Sequence, residues 1–348
     1  MMPGLADLQP LVAGHWYDAV AAVLKVELER GTEQPTLVAA RELAVAAKRV
    51  LDLDAEDFGI IAREFPDRGW TKELATACFP VQPRSVVRGA LGSLVPLYRL
   101  MLEVLRLRAL RHEPLQLVVT AHLIGEYLTL LAWESTLGHA GDPLKMAAST
   151  GERWGSDDPS CPHTSPLRAS AKRSLHAASG SQAGYTAYLD RFHSRLGGAL
   201  AVCAMNHATI AAGERPDIGT TCPEPCSWAV RGTMASRRDL DARVRLALIY
   251  QASPIVALRH HAPVGHFFGV PSTSEINSAW ERTWARLTAP WPSAGNPLLE
   301  TEVPDPGDHE PLPGMAALVS AVAGRPITVG TLIREVGTDL AAALNAMR

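Results

Sequence analysis

Apolar side chains recur at helical spacing along most of this chain. In residues 93–111, apolar residues three or four positions apart form one stripe, and most of the arginines lie off it. Such a stripe is typical of an amphipathic helix that packs one face on a core. A capping pattern at Ser272–Glu275 marks the start of another helix. Periodicity and composition together predict helices over 36–51, 93–111, 181–212, 240–258 and 274–287.

The segment 115–137 is apolar on nearly every face, which predicts a buried helix at the centre of the fold. Its most apolar part, residues 117–133, is shorter than the roughly 20 residues that a membrane helix needs. It also contains His122 and Glu126. We therefore expect no membrane span here.

Strand signals are scarce, because no alternating run flanked by turn residues persists. The predicted fold is all-α, with a large helical bundle-like body over residues 1–289. Within that body, residues 151–180 are polar and predict a long loop. A small sheet hidden in residues 213–235 is the main alternative.

The C-terminal part of the chain reads as a separate unit. Residues 290–313 contain seven prolines and several acids, which predicts a linker. Residues 314–348 then predict three short helices, over 315–322, 329–336 and 339–347. Their apolar pattern resembles the helical part of a winged helix-turn-helix domain. The last of these helices carries only one basic residue, Arg348, which does not favour nucleic acid as a partner.

Composition narrows the setting. The 348 residues carry a formal charge of −3, which does not indicate a polyanion-binding protein. Five cysteines are too few for a disulfide framework, and the first residues lack the basic start of a secretory signal. These observations predict a cytoplasmic protein. The sequence does not determine the oligomeric state, and a homo-oligomer is one of the states that it allows.

One candidate catalytic group lies on the central helix. His122 and Glu126 are four residues apart, so their side chains share a helix face, and Glu134 and His139 follow just beyond. A histidine beside a carboxylate can bind a metal or act as an oriented acid–base group. The alternative is a hydrogen-bonded pair in the core, since a buried carboxylate needs a partner anyway.

The densest histidine cluster lies at the end of the helix predicted over 240–258. It comprises His260, His261 and His266, preceded by Arg259. Histidine is a common ligand for haem iron and for zinc, so these three are candidate cofactor ligands. The alternative is a solvated loop. We expect His193, between two arginines, on a solvated helix face.

A second metal set is possible. Cys161, His163, Cys222 and Cys226 have the residue types of a structural zinc site, although their spacing is irregular. The alternative is four loop residues that bind nothing.

The helical architecture, the scattered tryptophans and histidines, and the His-rich turn late in the chain resemble the histidine-ligated haem enzymes that oxidise aromatic amino acids, the tryptophan-dioxygenase-like group. The resemblance implies haem, an axial ligand among His260, His261 and His266, and a distal acid–base group such as His122 or His139. The spacing of Arg259 and His266 also resembles the motif of HEPN-type ribonucleases, although Pro263 and Gly265 interrupt it.

The leading expectation is therefore an oxidative enzyme that uses haem or a histidine-bound transition metal on a small, aromatic molecule. Its candidate catalytic residues are His122, Glu126, Glu134, His139 and Arg259. One alternative is a zinc-supported helical nucleic-acid-binding or adaptor protein. A further alternative is a HEPN-like ribonuclease.

Overall fold

The computed structural model describes residues 8–31, 34–149, 166–200, 233–261, 269–291, 295–300 and 310–347. Across these ranges every regular element is a helix, as the all-α prediction requires. The α-helices are α1 Leu8–Ala13, α2 Tyr17–Glu29, α3 Pro35–Leu51, α4 Phe58–Glu64, α5 Thr71–Ala77, α6 Val95–Leu110, α7 Pro114–Leu137, α8 Pro143–Ser149, α9 Pro166–Gly180, α10 Gln182–Arg191, α11 (residues 193–200), α12 Met234–Gln251, α13 Pro254–Ala257, α14 Thr273–Leu287, α15 Pro297–Glu300, α16 Met315–Ala323 and α17 Leu332–Asn345.

Helix α7 is the buried centre that its apolar composition predicts. It packs against α6, α12, α13 and α16. Two buried tyrosines hold it in place: the Tyr98 hydroxyl donates to the Ile124 carbonyl at 2.7 Å, and the Tyr250 hydroxyl donates to the Ala121 carbonyl at 2.8 Å. Close approach needs a small residue, because a Cβ at Gly125 would lie 3.3 Å from the Tyr250 ring. These contacts fix the face of α7 that carries His122 and Glu126.

By length and composition alone, α7 could also cross a membrane. However, 67% of that helix's most apolar window is buried inside the structure, and the buried core helix of a protein that does not span a membrane passes the same test. The helix is therefore weak evidence for a membrane span.

Four helices, α3, α6, α7 and α14, begin and end within two residues of the predicted bounds. The capping box of α14 is present, with Ser272 and Glu275 in its two roles. Two predicted helices are divided. Residues 181–200 form α10 and α11, which meet at Phe192. The helix predicted over 240–258 ends at Gln251, and Pro254 starts α13, because proline has no N–H to continue a helix.

The prediction of a loop over residues 151–180 is wrong for the second half of that range. Residues 166–180 form α9, which Pro166 starts and whose alanine-rich sequence favours a helix. Residues 151–165, and the possible sheet over 213–232, lie outside the described residues.

The C-terminal segment has two helices where the sequence predicts three. Helix α17 continues through Gly337 and Thr338, the predicted turn. Glycine is needed there because a Cβ at Gly337 would lie 2.7 Å from the Tyr17 hydroxyl. Helix α17 packs on α1 and α3, and the Gln9 amide donates to the Ala341 carbonyl at 3.1 Å.

The same hydrophobic core runs through the body and the C-terminal helices, with Leu43 and Leu128 in one cluster with Leu318 and Leu340. The described part of the predicted linker includes α15, which packs against α12 and α16. The Asn296 amide closes the preceding turn by donating to the Leu287 carbonyl at 2.6 Å. Residues 301–309 lie outside the described residues.

Candidate functional site

His122 and Glu126 form a hydrogen-bonded pair on α7, as their spacing predicts. His122 Nε2 lies 2.9 Å from Glu126 Oε1. The histidine is 9% exposed, whereas about a third of the glutamate side chain reaches solvent. The carboxylate is therefore the member of the pair that a ligand can approach.

Arg259 joins this pair from 137 positions away in the sequence. Because Pro254 prevents α12 from continuing, the chain turns through α13 and the 3₁₀ helix Leu258–His261, which brings it back against α7. The Arg259 guanidinium contacts His122 Nε2 and lies 3.7 Å from Glu126 Oε1. His260 follows it, with its ring edge-on to the His122 ring at a centroid distance of 6.2 Å.

His122 and Glu126 border an open cleft of about 380 Å³ between α7, α11, α12 and α13. Its volume lies within the range of small-molecule sites. Gln251 forms part of one wall, and its side-chain amide donates to the Gly125 carbonyl at 2.7 Å. The cleft is lined by His122, Gly125, Glu126, Ser194, Arg195, Gly198, Gln251 and Val256.

The charges in the cleft favour an ionised carboxylate. The hydrogen bond from His122 lowers the pKa of Glu126 more than partial burial raises it. The positive charges of Arg259 and Arg195 lower the same pKa further. Two guanidinium groups therefore face one carboxylate, which leaves positive charge in the cleft for a ligand to neutralise.

Glu134 lies apart from this cleft. It is eight residues beyond Glu126, roughly 12 Å along the helix axis. Its carboxylate accepts hydrogen bonds from the Ser93 hydroxyl at 2.7 Å and the Leu94 N–H at 2.8 Å, and it contacts Arg325. These partners satisfy the first turn of α6, so the described contacts give Glu134 an anchoring role.

His139 also lies elsewhere, in the turn that follows α7. Its Nδ1 accepts the Asp142 N–H at 3.0 Å, and burial lowers its pKa to about 4. Arg88 holds Asp142 through both carboxylate oxygens, at 2.6 and 2.8 Å. The structure thus places His139 in a network that fixes a turn.

The expectation that His193 lies on a solvated face is wrong. The residue is fully buried, and its Nε2 lies 2.8 Å from the Ala140 carbonyl. Phe79, Tyr127 and Tyr188 surround its ring at centroid distances of 5.5 to 5.6 Å. Burial lowers its pKa to about 4.

The metal and haem expectations rest largely on residues outside the described part. The side chain of His261, as well as His266, Cys161, His163, Cys222 and Cys226, lies outside the described residues. Within the described residues, no three His, Cys, Asp or Glu side chains could share a metal ion. The haem, zinc and HEPN interpretations therefore stay predictions.

Sequence reasoning identified His122, Glu126, Arg259 and His260, and the structure brings these four together. It missed Arg195, Ser194 and Gln251, which line the same cleft. No local pattern marks them, since they reach the cleft only through the packing of α11 and α12 on α7. The position of Arg195 beside the His-x-x-x-Glu pair follows only from the fold.

Comparisons with known proteins give no relative whose function could be transferred to this chain. No family model, curated protein or solved structure matches it. The resemblances drawn from the sequence therefore stay predictions, and any functional proposal has to rest on the geometry of the cleft.

Proposed function

We propose that the cleft beside α7 binds a small molecule with a negatively charged group, and that the His122–Glu126 pair takes up or releases a proton as the ligand binds or reacts. The observation that carries this proposal is the convergence of Arg259, His122 and Glu126 from two distant segments. A small aromatic acid, in keeping with the sequence-based expectation, is the ligand class to test first.

The anion preference rests on Arg195 and Arg259. Arginine presents a planar set of donors that matches a carboxylate or phosphate, and two arginines near one glutamate leave an uncompensated charge. Val256 and two glycines also line the cleft and supply its apolar surface. A cleft with apolar walls and a few convergent polar groups is typical of small-molecule sites.

The proton role rests on the contact between His122 Nε2 and Glu126 Oε1. His122 Nε2 contacts both the Glu126 carboxylate and the Arg259 guanidinium, which can only donate, so a proton on Nε2 that points at Glu126 excludes the contact with Arg259. When a ligand anion draws the Arg259 guanidinium away, the histidine becomes the remaining positive partner of Glu126. Ligand binding is then coupled to proton uptake by this pair.

Calorimetric titration with benzoate and phenyl phosphate tests the proposal, with benzyl alcohol as the neutral analogue. We expect the anions to bind and the alcohol not to bind. Arg195→Ala and Arg259→Ala each weaken anion binding about 10- to 100-fold, the value of one charge-assisted hydrogen bond. Arg106→Ala, at an exposed position on α6, is the matched control and leaves binding unchanged.

Titration in buffers of different ionisation enthalpy then measures the proton. We expect proton uptake with benzoate near pH 7, and its loss in His122→Asn. Glu126→Gln removes the competing negative charge, so it tightens anion binding. Anion affinity that is indifferent to both arginine substitutions rules out the proposal.

A further inference from the structure

A second and larger concavity lies apart from the cleft and shares no residue with it. This groove, of about 830 Å³, runs between α4, α5 and the segment that follows α5. Its apolar surface includes Ile60, Ala75, Phe79, Val81 and Val87. The function proposed above makes no use of it.

The outer wall of the groove is irregular backbone that is pinned at both ends. The Phe79 N–H donates to the Ala55 carbonyl at 2.9 Å, and the Ala90 N–H donates to the Cys78 carbonyl at 2.8 Å. Gln182 adds a side-chain hydrogen bond to the Val81 carbonyl at 2.8 Å. The wall is therefore held away from the helices instead of collapsing onto them.

Apolar side chains are left in water along this wall. Val86 is 98% exposed, Val87 50% and Val81 48%, and Ile60 on α4 is 39% exposed. All four line the groove, so they form one patch. Contiguous exposed apolar surface of this kind is characteristic of a binding surface, because covering it removes an unfavourable contact with water.

Two cations stand in the same groove. Arg63 on α4 and Lys72 on α5 both line the groove. Neither forms an ion pair with a described residue. Glu56 is the one acidic residue among the groups that line the groove. Gly59 and Cys78 form the floor of the groove. A Cβ at Gly59 would lie 3.7 Å from Arg63 Nη1 and 3.5 Å from Cys78 Sγ, so the Arg63 guanidinium lies beside this floor. The Cys78 thiol stays neutral because burial raises its pKa.

We propose that this groove binds a single-chain amphiphile with an anionic head group, of the long-chain aliphatic carboxylate class. The chain covers the exposed valines and Ile60, and the carboxylate pairs with Arg63 and Lys72. The apolar surface of the groove complements the aliphatic chain of this ligand, and the two cations complement its carboxylate. A neutral or cationic head group would leave the two cations without a partner.

Titration calorimetry with dodecanoate, kept below its micelle concentration, tests the inference. Dodecyltrimethylammonium has the same tail with a cationic head, and butanoate has the same head with a short tail. In the variant Arg195→Ala with Arg259→Ala, whose small-anion cleft is disabled, we expect one dodecanoate per chain, with at least tenfold weaker binding of the cationic amphiphile and no detectable binding of butanoate. Equal affinity for the two head groups, or only unsaturable binding, overturns the inference.

Variants locate the ligand. The double variant Arg63→Ala with Lys72→Ala weakens dodecanoate binding at least tenfold and abolishes the preference for the anionic head. Ala75→Trp fills the groove and removes binding; if it fails to melt cooperatively, the double variant decides alone. The matched control, Arg106→Ala with Lys172→Ala, changes nothing. Dodecanoate binding to the groove persists in Arg195→Ala with Arg259→Ala, because these two residues belong to the other cleft; loss of binding in this variant overturns the assignment to the groove.

Discussion

The Glu103 carboxylate of α6 accepts a hydrogen bond from the backbone N–H of Ile333, 230 positions later in the sequence, at 3.1 Å. Its other oxygen accepts the Arg334 N–H, also at 3.1 Å. The first N–H groups of a helix have no partner within the helix, so a buried side chain from α6 supplies the cap of α17. This contact ties the C-terminal helices to the centre of the fold.

Removing that cap should destabilise the protein. We expect Glu103→Ala to lower the free energy of unfolding by about 2–4 kcal/mol, because buried N–H groups lose their acceptor. Urea denaturation monitored by circular dichroism measures the change. Glu281→Ala, at an exposed position on α14, is the control and should stay within about 0.5 kcal/mol of the wild type. A similar small change for Glu103→Ala would show that water or a neighbouring group replaces the cap.

The buried histidines predict a loss of stability in mild acid. Burial lowers the pKa of His193 and of His139 to about 4, below the ordinary histidine value of 6.5, so between these values the unfolded chain binds more protons than the folded one. The stabilising contribution of each neutral histidine is complete above pH 6.5 and is lost as the pH falls towards 4. For the fully buried His193, the loss from pH 7.5 to pH 5 is about 2 kcal/mol.

Unfolding free energies at pH 7.5, 6 and 5 measure this dependence. In His193→Phe the slope should flatten by the share of one group, and at pH 7.5 the variant should be less stable than the wild type because the Ala140 carbonyl loses its partner. His176→Phe, at an exposed position on α9, should keep the wild-type slope. An unchanged slope in His193→Phe would mean that His193 does not titrate in this window.

The helices that the sequence predicts well are those whose signal is local. The stripe of 93–111, the apolar run of 115–137 and the capping box at Ser272 each depend on residues within a few turns, and the structure has α6, α7 and α14 there. The same locality made the His122–Glu126 pair visible, since four residues on a helix fix the geometry.

The features that were missed depend on packing between distant segments. His193 lies between two arginines in the sequence, which indicates a polar face, yet the ring is buried among Phe79, Tyr127 and Tyr188. The turn predicted at Gly337 is helical, because the glycine serves close contact with Tyr17. Neither Tyr17 nor Phe79 is near its partner in the sequence, so no window of residues contains this information.

Gly89 should be intolerant of any side chain. Its φ of +49° is unfavourable for residues with a Cβ, and a Cβ there would lie 1.9 Å from the Cys78 carbonyl oxygen. We expect Gly89→Ala to lower the free energy of unfolding by about 3 kcal/mol, since backbone must shift in a closely packed turn. Gly69→Ala, which meets nothing within 4 Å, is the matched control and should be nearly neutral.

The haem function predicted from the sequence has a direct optical test. Protein purified from cells supplied with iron and haem precursor shows a Soret band if the prediction holds, and His260→Ala, His261→Ala or His266→Ala then loses it. Arg106→Ala should keep the band. Absence of any Soret band in the wild-type protein rules out the haem version, and leaves the anion-binding cleft unaffected.

The hydrogen bond between Gln9 on α1 and Ala341 on α17 has a consequence for synthesis in the cell. Helix α3 packs against both its sequence neighbour α2 and the last described helix, α17. During translation the N-terminal helices emerge first, and their apolar face towards α17 has no cover until residues 332–345 have left the ribosome. Ribosome-bound chains that stop before residue 332 should consequently recruit chaperones and resist protease poorly, and both properties should change once α17 has been made.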